Sequence, residues 1–394
     1  MPIEERVFIA GAGPVGLVAA ANLVRHGVPV TVFEAGPALA EESRASTFHP
    51  PTLDMLEEFG AAAPLIAQGL IAPRFQYRAR DGVIATFDFA AIAEETRHPF
   101  RVQSEQFKLT RILLDRLAKK SEFQIEFGSR VAGVEQDNAT VHVTLDRNGS
   151  SERRSGRWLI GADGARSDVR RALGVEFAGF TWPERFLVVS TPFDFRSVIA
   201  DLVSVSYLAD PVRWHFLLEI PGLWRVMFPL AEAVSDEEAA SRGFAQALMA
   251  GVVSGIANYD IAHTTLYKVH QRVAKNFRAG RTFLAGDAAH LNNPLGGMGM
   301  NGGIHDVMNL TTRLAAAWSG SAPEANLDRY ERQRRAITLE YIEQQSIANK
   351  RNLECANPDF ADELRRTAAD PQRTRDYLIR VAMIASLRRA AELG

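Results

Sequence analysis

The residues Gly11-Ala12-Gly13-Pro14-Val15-Gly16 follow directly on the apolar run Val7-Phe8-Ile9-Ala10 and precede a helix-like stretch to His26. Three glycines at that spacing suit one chemical task, the grip on a pyrophosphate. Gly11 permits a tight turn, Gly13 lets the backbone approach phosphate oxygens, and Gly16 lets helix and strand pack closely, while unpaired N–H groups at the helix start meet the negative charge. The run Pro29-Val30-Thr31-Val32-Phe33 then ends in Glu34, about the expected distance on for a carboxylate that accepts hydrogen bonds from an adenosine ribose. A lone G-x-G-x-x-G is a weak signal, because glycine loops are common. Here a strand before it, a helix after it and an acid closing the second strand complete a βαβ unit and point to a dinucleotide. NAD and FAD share the adenosine diphosphate half, so this fingerprint does not choose between them.

Two further carboxylates stand where apolar strands end, the position at which open α/β sheets bind ligands. Trp158 to Ile160 runs into Gly161-Ala162-Asp163-Gly164-Ala165-Arg166-Ser167, and Thr282-Phe283-Leu284 runs into Ala285-Gly286-Asp287-Ala288-Ala289-His290. Taken singly, Asp287 would also suit a turn cap. The segment Pro294-Leu295-Gly296-Gly297-Met298-Gly299-Met300-Asn301 follows and leads to Asp306. It is expected to open a helix at about Asn301, whose N-terminal N–H groups and dipole favour negative charge. Gly297 to Gly302 repeats the G-x-G-x-x-G pattern with no strand immediately before it, so no second nucleotide fold is expected.

These motifs, in this order from residue 7 to residue 306, resemble those of the flavoprotein aromatic hydroxylases, the family of p-hydroxybenzoate hydroxylase and phenol hydroxylase. The resemblance implies an α/β fold, with a Rossmann-type FAD-binding domain interleaved with a β-sheet substrate domain, plus C-terminal helices. It implies non-covalent FAD, with NADH or NADPH as co-substrate. The implied reaction is hydroxylation of a small phenol-like or pyridinol-like acid with O2 through a flavin hydroperoxide. Carried over by position, Gly11, Gly13, Pro14, Val15 and Gly16 form the pyrophosphate turn, Glu34 holds the adenosine ribose and Arg44 reaches the pyrophosphate region. Gln106 contacts the cofactor, Asp163 serves FAD and nicotinamide, and Asp287 holds the ribityl chain, with Pro294, Gly299, Met300 and Asn301 at the flavin edge. Met298 departs from the glutamine that many relatives carry, which implies a drier flavin environment.

The elements that must position these groups divide the chain. The reading assigns residues 1–73, 101–179 and 276–335 to the FAD-binding domain, 74–100 and 180–275 to the substrate domain, and 336–394 to a C-terminal helical segment. Extended, aromatic-rich stretches between Phe180 and Lys275 read as a sheet, interrupted by an acidic helical stretch from Asp236 to Ala250. Phe75, Tyr77, Phe87, Phe89 and His98 are expected to join it and line a pocket. Tyr207, His215, Trp224 and Tyr267 are candidate substrate contacts, each able to stack on or polarise a ring, although taken singly each is better suited to core packing. Arg185, Arg213 and Arg225 are candidate cations for an anionic substrate. No catalytic base is assigned. Asp328 to Lys350 reads as one long helix and Tyr377 to Leu393 as another.

With 46% hydrophobic and 23% charged residues, the 394-residue chain has the composition of a folded globular protein of two lobes. Its net charge of −2, with basic residues spread throughout, provides no footprint for nucleic acid or an anionic membrane. The single Cys355 and the absence of an export or spanning segment fit a cytoplasmic monomer or homodimer. None of the nine histidines falls in a metal-ligand spacing, so no metal is expected. A halogenase or reductase of the same superfamily and a flavin-binding protein without turnover are the competing readings. The W-x-W-x-I-P segment of halogenases is not present.

Overall fold

The computed structural model describes residues 4–41, 45–210, 214–256, 258–354 and 359–394. Arg44, Arg213 and Cys355, singled out above, lie outside the described residues.

The strand Glu4–Ala10 sits in the middle of a parallel sheet, between Val30–Phe33 on one side and Ser150–Gly161 on the other. Phe123–Glu126 extends the sheet beyond Val30–Phe33, and Thr282–Leu284 extends it beyond Ser150–Gly161. Val7 to Ala10 and Val30 to Phe33 are buried on both faces, as uninterrupted apolar runs in a covered parallel sheet should be. Gly13 starts the helix Pro14–Arg25, which packs along the helix Met298–Trp318. Between the two, the buried Asn22 donates from Nδ2 to Thr311 Oγ1 at 2.7 Å.

A second, mostly antiparallel sheet runs in the order His290–Leu291, His263–Ala274, Phe177–Thr191, Leu223–Leu230, His215–Ile220, Val205–Leu208, Arg74–Ala79, Gly82–Asp88. The hairpin 74–88 enters this sheet by parallel pairing of Arg74–Ala79 with Val205–Leu208, so the sheet draws on segments far apart in sequence. Strand side chains alternate between faces. One face carries Phe75, Phe186, Phe216 and Met227 and is closed by the C-terminal helices; the other carries Leu217, Trp224, Val226 and Phe228 under the helices Asp236–Ala240 and Arg242–Ala250.

The C-terminal segment is more broken than its sequence pattern suggests. Instead of one helix from Asp328 to Lys350, Asp328–Ile337 is followed by a wide π turn, Thr338–Glu343, and then by Gln344–Leu353. The expected last helix is two, Pro371–Val381 and Ile384–Glu392, interrupted by Met383 in a left-handed conformation with φ 68°. Met383 packs with Met298 and Ile342 in a small buried cluster, a tertiary contact that helical periodicity cannot register. Among the described residues no helix is long and apolar enough to cross a membrane.

At the seam of these parts Asp306 is fully buried. Its Oδ1 accepts from Arg334 Nε at 2.7 Å, and its Oδ2 accepts from His290 Nε2 at 2.8 Å and from the Gly286 amide at 3.2 Å. Burial alone would raise its pKa, but His290 and Arg334 more than offset that and hold the carboxyl well below its ordinary value. Asp306→Ala is therefore expected to destabilise the protein by about 3–5 kcal/mol in urea denaturation, because it strands a buried guanidinium. A depressed folded pKa stabilises fully above the unfolded value of about 4, and that contribution is lost as pH falls through the folded value. Asp306→Asn should flatten that acid limb, and an unchanged limb would show that other carboxylates carry it.

Candidate active site

The turn after Glu4–Ala10 has the form a pyrophosphate needs. Gly11 has φ 99°, and a Cβ there would lie 2.5 Å from the Ala162 carbonyl oxygen. A Cβ on Gly16 would collide with the Gly11 carbonyl, whereas one on Gly13 would meet no atom within 4 Å. Gly13 thus borders open space at the start of the helix. Pro14 brings no N–H, which leaves the Val15 and Gly16 amides in the first turn. Glu34 braces this turn, with Oε2 accepting from the Ala12 amide at 2.7 Å and Oε1 from the Gly36 amide at 2.8 Å. Each carboxylate oxygen keeps a second lone pair for a ribose hydroxyl. Gln106 begins the helix Gln106–Leu117, and its Oε1 accepts from the Ala45 amide at 3.3 Å.

Asp287 and Asp163 behave differently. Asp287 is exposed on a short turn whose neighbours Gly286 and Ala288 are buried. Asp163 is turned inward; its Oδ2 accepts from the Val169 amide at 3.0 Å, its Oδ1 has no partner among the described residues, and burial raises its pKa. Arg170 links the two turns by donating to the carbonyls of Ala288 at 2.8 Å and Ala165 at 3.0 Å.

The helix expected at about Asn301 begins three residues earlier, at Met298, because Gly297 adopts φ 67° and caps it. The open first-turn amides are therefore those of Met298, Gly299 and Met300. Pro294 accepts from the Gly297 amide at 3.0 Å. The Asn301 side chain is taken up by the protein itself, donating to the carbonyls of Thr47 at 2.9 Å and Gly297 at 2.6 Å and accepting from the His49 amide at 3.0 Å. It fixes the loop in front of the helix.

Beside this loop lies a narrow recess. Gly296 and Met298 form one wall, Phe75, Tyr77 and Tyr207 come from the second sheet, Arg101 from the strand Arg101–Gln103, and Gln345, Asn349, Tyr377 and Val381 from the C-terminal helices. Tyr77 and Tyr207 stack with ring centroids 5.2 Å apart, and the Tyr377 hydroxyl donates to that of Tyr77 at 3.3 Å. Burial pushes the Tyr77 phenol well up and Tyr377 up to about 12, so both keep their protons at neutral pH. Burial, aided by the Arg101 charge, lowers the pKa of His49, which is neutral and whose Nε2 donates to the Gly296 carbonyl at 2.8 Å.

A family model described as an FAD binding domain matches residues 4–345. The chain is 34% identical over 355 residues to the para-nitrophenol 4-monooxygenase of Pseudomonas sp. (strain WBC-3), covering 89% of this chain and 87% of that protein. It is 32% identical to the 6-hydroxy-3-succinoylpyridine 3-monooxygenase HspB of Pseudomonas putida (strain DSM 28022 / S16), covering 96% and 98%. The crystal structure of p-nitrophenol 4-monooxygenase PnpA from Pseudomonas putida DLL-E4 superimposes with a TM-score of 0.91 at 29% identity, over 99% of both chains. The protein belongs to this family of FAD-binding aromatic and heteroaromatic ring monooxygenases.

The flavoprotein's residues fit the cofactor: open space before Gly13, unpaired helix amides at two N-termini, and an exposed carboxylate on a buried turn are what a pyrophosphate, an isoalloxazine edge and a ribityl chain require. Of the expected substrate contacts, Tyr207 lines the recess. His215 and Trp224 do not; they project from the opposite face of the sheet, where His215 lies by Phe228 and Trp224 packs against Phe195. Tyr267 shares the recess face without lining it. Arg185 points to Asp236, and Arg225 reaches Ser46 at 3.0 Å. His98 pairs with Asp54 at 2.8 Å; it stands with Asp54 and Glu57 in a cluster that Arg97 already neutralises. Arg101, Tyr377, Gln345 and Asn349 were not anticipated.

Gly13→Val should fold normally yet lose FAD affinity by roughly tenfold or more, since the added side chain fills the open phosphate space. Asp287→Ala should do likewise by removing the ribityl acceptor. Flavin content after gel filtration checks both, and full occupancy in either variant would remove that residue from the site.

Proposed function

We propose that this flavoprotein uses NADH or NADPH and O2 to hydroxylate a small planar phenol-like or pyridinol-like ring bound in the recess. The observation that carries the reading is that the aromatic recess ends on Gly296 and Met298, at the start of the helix whose amides suit a flavin edge. Relatives named for action on a nitrophenol and on a hydroxypyridine support the same substrate class.

Bound FAD would supply electron transfer from the nicotinamide and activation of dioxygen. The chain supplies position and environment. The Val15 and Gly16 amides and the open face at Gly13 hold the pyrophosphate, Glu34 the adenosine ribose and Asp287 the ribityl chain. The Met298, Gly299 and Met300 amides stabilise negative charge on the reduced ring system. Stacked Tyr77 and Tyr207 orient a planar ring by their faces. Met298, backed by Ile342 and Met383, gives the recess an apolar wall that disfavours water there. Tyr77 and Tyr377 keep their protons and do not act as bases: Tyr377 donates to Tyr77, which leaves the Tyr77 hydroxyl to donate to the ring's oxygen.

Stopped-flow absorbance of the FAD-loaded protein with NADH or NADPH tests the reading. Phenolic or pyridinol ligands should accelerate flavin bleaching, and oxygen should then yield hydroxylated product; a flavin that neither nicotinamide reduces would overturn it. Tyr377→Phe should retain FAD and lower kcat/KM by roughly 3–30-fold through a lost hydrogen bond. The pH profile should keep its shape between about pH 6 and 9, because neither buried tyrosine titrates there; a limb that vanishes in the variant would make Tyr377 the base.

A further inference from the structure

One charge in the recess is left without a counter-charge. Arg101 is only 3% exposed, yet among the described residues its guanidinium has no hydrogen-bond or ion-pair partner, and its Nε is buried. The guanidinium lies over Phe75 and Phe89, with Cζ 4.8 and 5.2 Å from the ring centroids. The molecule treats its other deeply buried arginines differently. Arg334 is met by Asp306, and Arg170 by two carbonyls. Aromatic faces offset only part of the cost of taking a cation out of water, and an arginine fork is shaped to accept a planar pair of oxygens. The residues lining the recess include no carboxylate and no histidine, but they do include the tyrosine hydroxyls of Tyr77, Tyr207 and Tyr377. A cation near hydroxyl donors, with no carboxylate among the lining residues to answer it and His49 nearby held neutral, is arranged to receive an anion.

We propose that Arg101 is the anion-recognising residue of the recess, and that the substrate ring binds as an oxyanion, either a ring phenolate or a ring carboxylate. This rests on the monooxygenase reading and deepens it. The guanidinium supplies the countercharge that would keep a ring oxygen ionised without a protein base. An ionised ring oxygen in turn enriches the ring in electrons, which electrophilic oxygenation requires. Arg101 thereby selects anionic rings over neutral ones of the same shape.

The test uses the FAD-loaded protein and three probes read by absorbance without turnover: 4-nitrophenol, whose ionised form is yellow, benzoate, and neutral nitrobenzene. Either anion should bind and perturb the flavin spectrum, with nitrobenzene at least roughly tenfold weaker. If 4-nitrophenol is the better ligand, it should be bound in its yellow form below the pH at which it ionises in water, which assigns the site to a phenolate. Tighter binding of benzoate assigns it to a carboxylate. Arg101→Met should weaken the preferred anion by roughly 10–100-fold and abolish any shift in its ionisation, and Arg101→Lys should recover part of the affinity. The wild-type colour shift and anion preference stand as a readout if a variant folds poorly. Equal binding of nitrobenzene, wild-type affinity in folded Arg101→Met, or no response to either anion at millimolar concentration would overturn the assignment. Nitrobenzene-like neutral rings that accelerate flavin reduction as well as anions do would leave the monooxygenase reading standing while removing Arg101 from it. A flavin that no nicotinamide reduces, beside intact Arg101-dependent anion binding, would do the reverse.

Discussion

The cofactor region depends on one close backbone contact. A Cβ on Gly303 would lie 2.7 Å from Val15 Cγ2 and 2.9 Å from Gly286 Cα, so the helix Met298–Trp318 can rest directly on both ligand-binding turns only while that position is bare. Val15 fills the space between Gly286 and Gly303, and Asn22 joins the same two helices two turns further on. Asp306 lies on the same helix and reaches back to the Gly286 amide, His290 and Arg334, so the turn that presents Asp287 is tied to the helix that opens at Met298. Segments that together span nearly 300 residues of the chain, from Val15 to Gly303, are thereby set to one geometry. Charge burial at Asp306 is tolerated because Arg334, His290 and the Gly286 amide all donate to it.

Much of the cofactor half was legible because its chemistry is carried by backbone. Glycines at Gly11, Gly13 and Gly16 are required by turn geometry and close approach, and such requirements leave the same signature wherever they occur. Asp287 stood out as an acid between small residues at a strand's end, and the structure exposes it on a turn whose neighbours Gly286 and Ala288 are buried. Asn301 shows the limit of this kind of reading. Its position in the motif pointed to the flavin, yet its amide holds Thr47, Gly297 and His49 in place, a long-range task invisible from its neighbours. The helix starts at Met298 and not at about Asn301 because Gly297, at φ 67°, serves as its N-cap, a backbone conformation that the run of neighbouring glycines does not single out.

The substrate half was less legible because a strand's period of two separates its faces without saying which face meets the ligand. Trp224 and His215 are as aromatic and polar as Tyr207, but they fall on the parity that faces the helices Asp236–Ala240 and Arg242–Ala250. Tyr377, Gln345 and Asn349 come from helices whose pattern is amphipathic and charged, which reads as an ordinary surface. They line the recess because a π turn at Thr338–Glu343 and the left-handed Met383 redirect the chain across its mouth.

Arg101 illustrates why a residue can be prominent in the structure and silent in the sequence. It lies on the three-residue middle strand of a small three-stranded sheet, with no repeating pattern around it, and the acid four residues on, Glu105, is paired with Lys108 instead. Its distinction is that among the described residues it has no hydrogen-bond or ion-pair partner, while it is buried against Phe75 and Phe89. Most buried cations are held by a carboxylate that belongs to the fold, as Arg334 is by Asp306, and such pairs stabilise the protein whatever it binds. A buried cation that the fold leaves unanswered has its counter-charge supplied by what enters the recess. Specificity then follows from electrostatics before shape: a neutral ring that packs against the stacked pair Tyr77 and Tyr207 leaves the guanidinium uncompensated, and an anionic ring completes it.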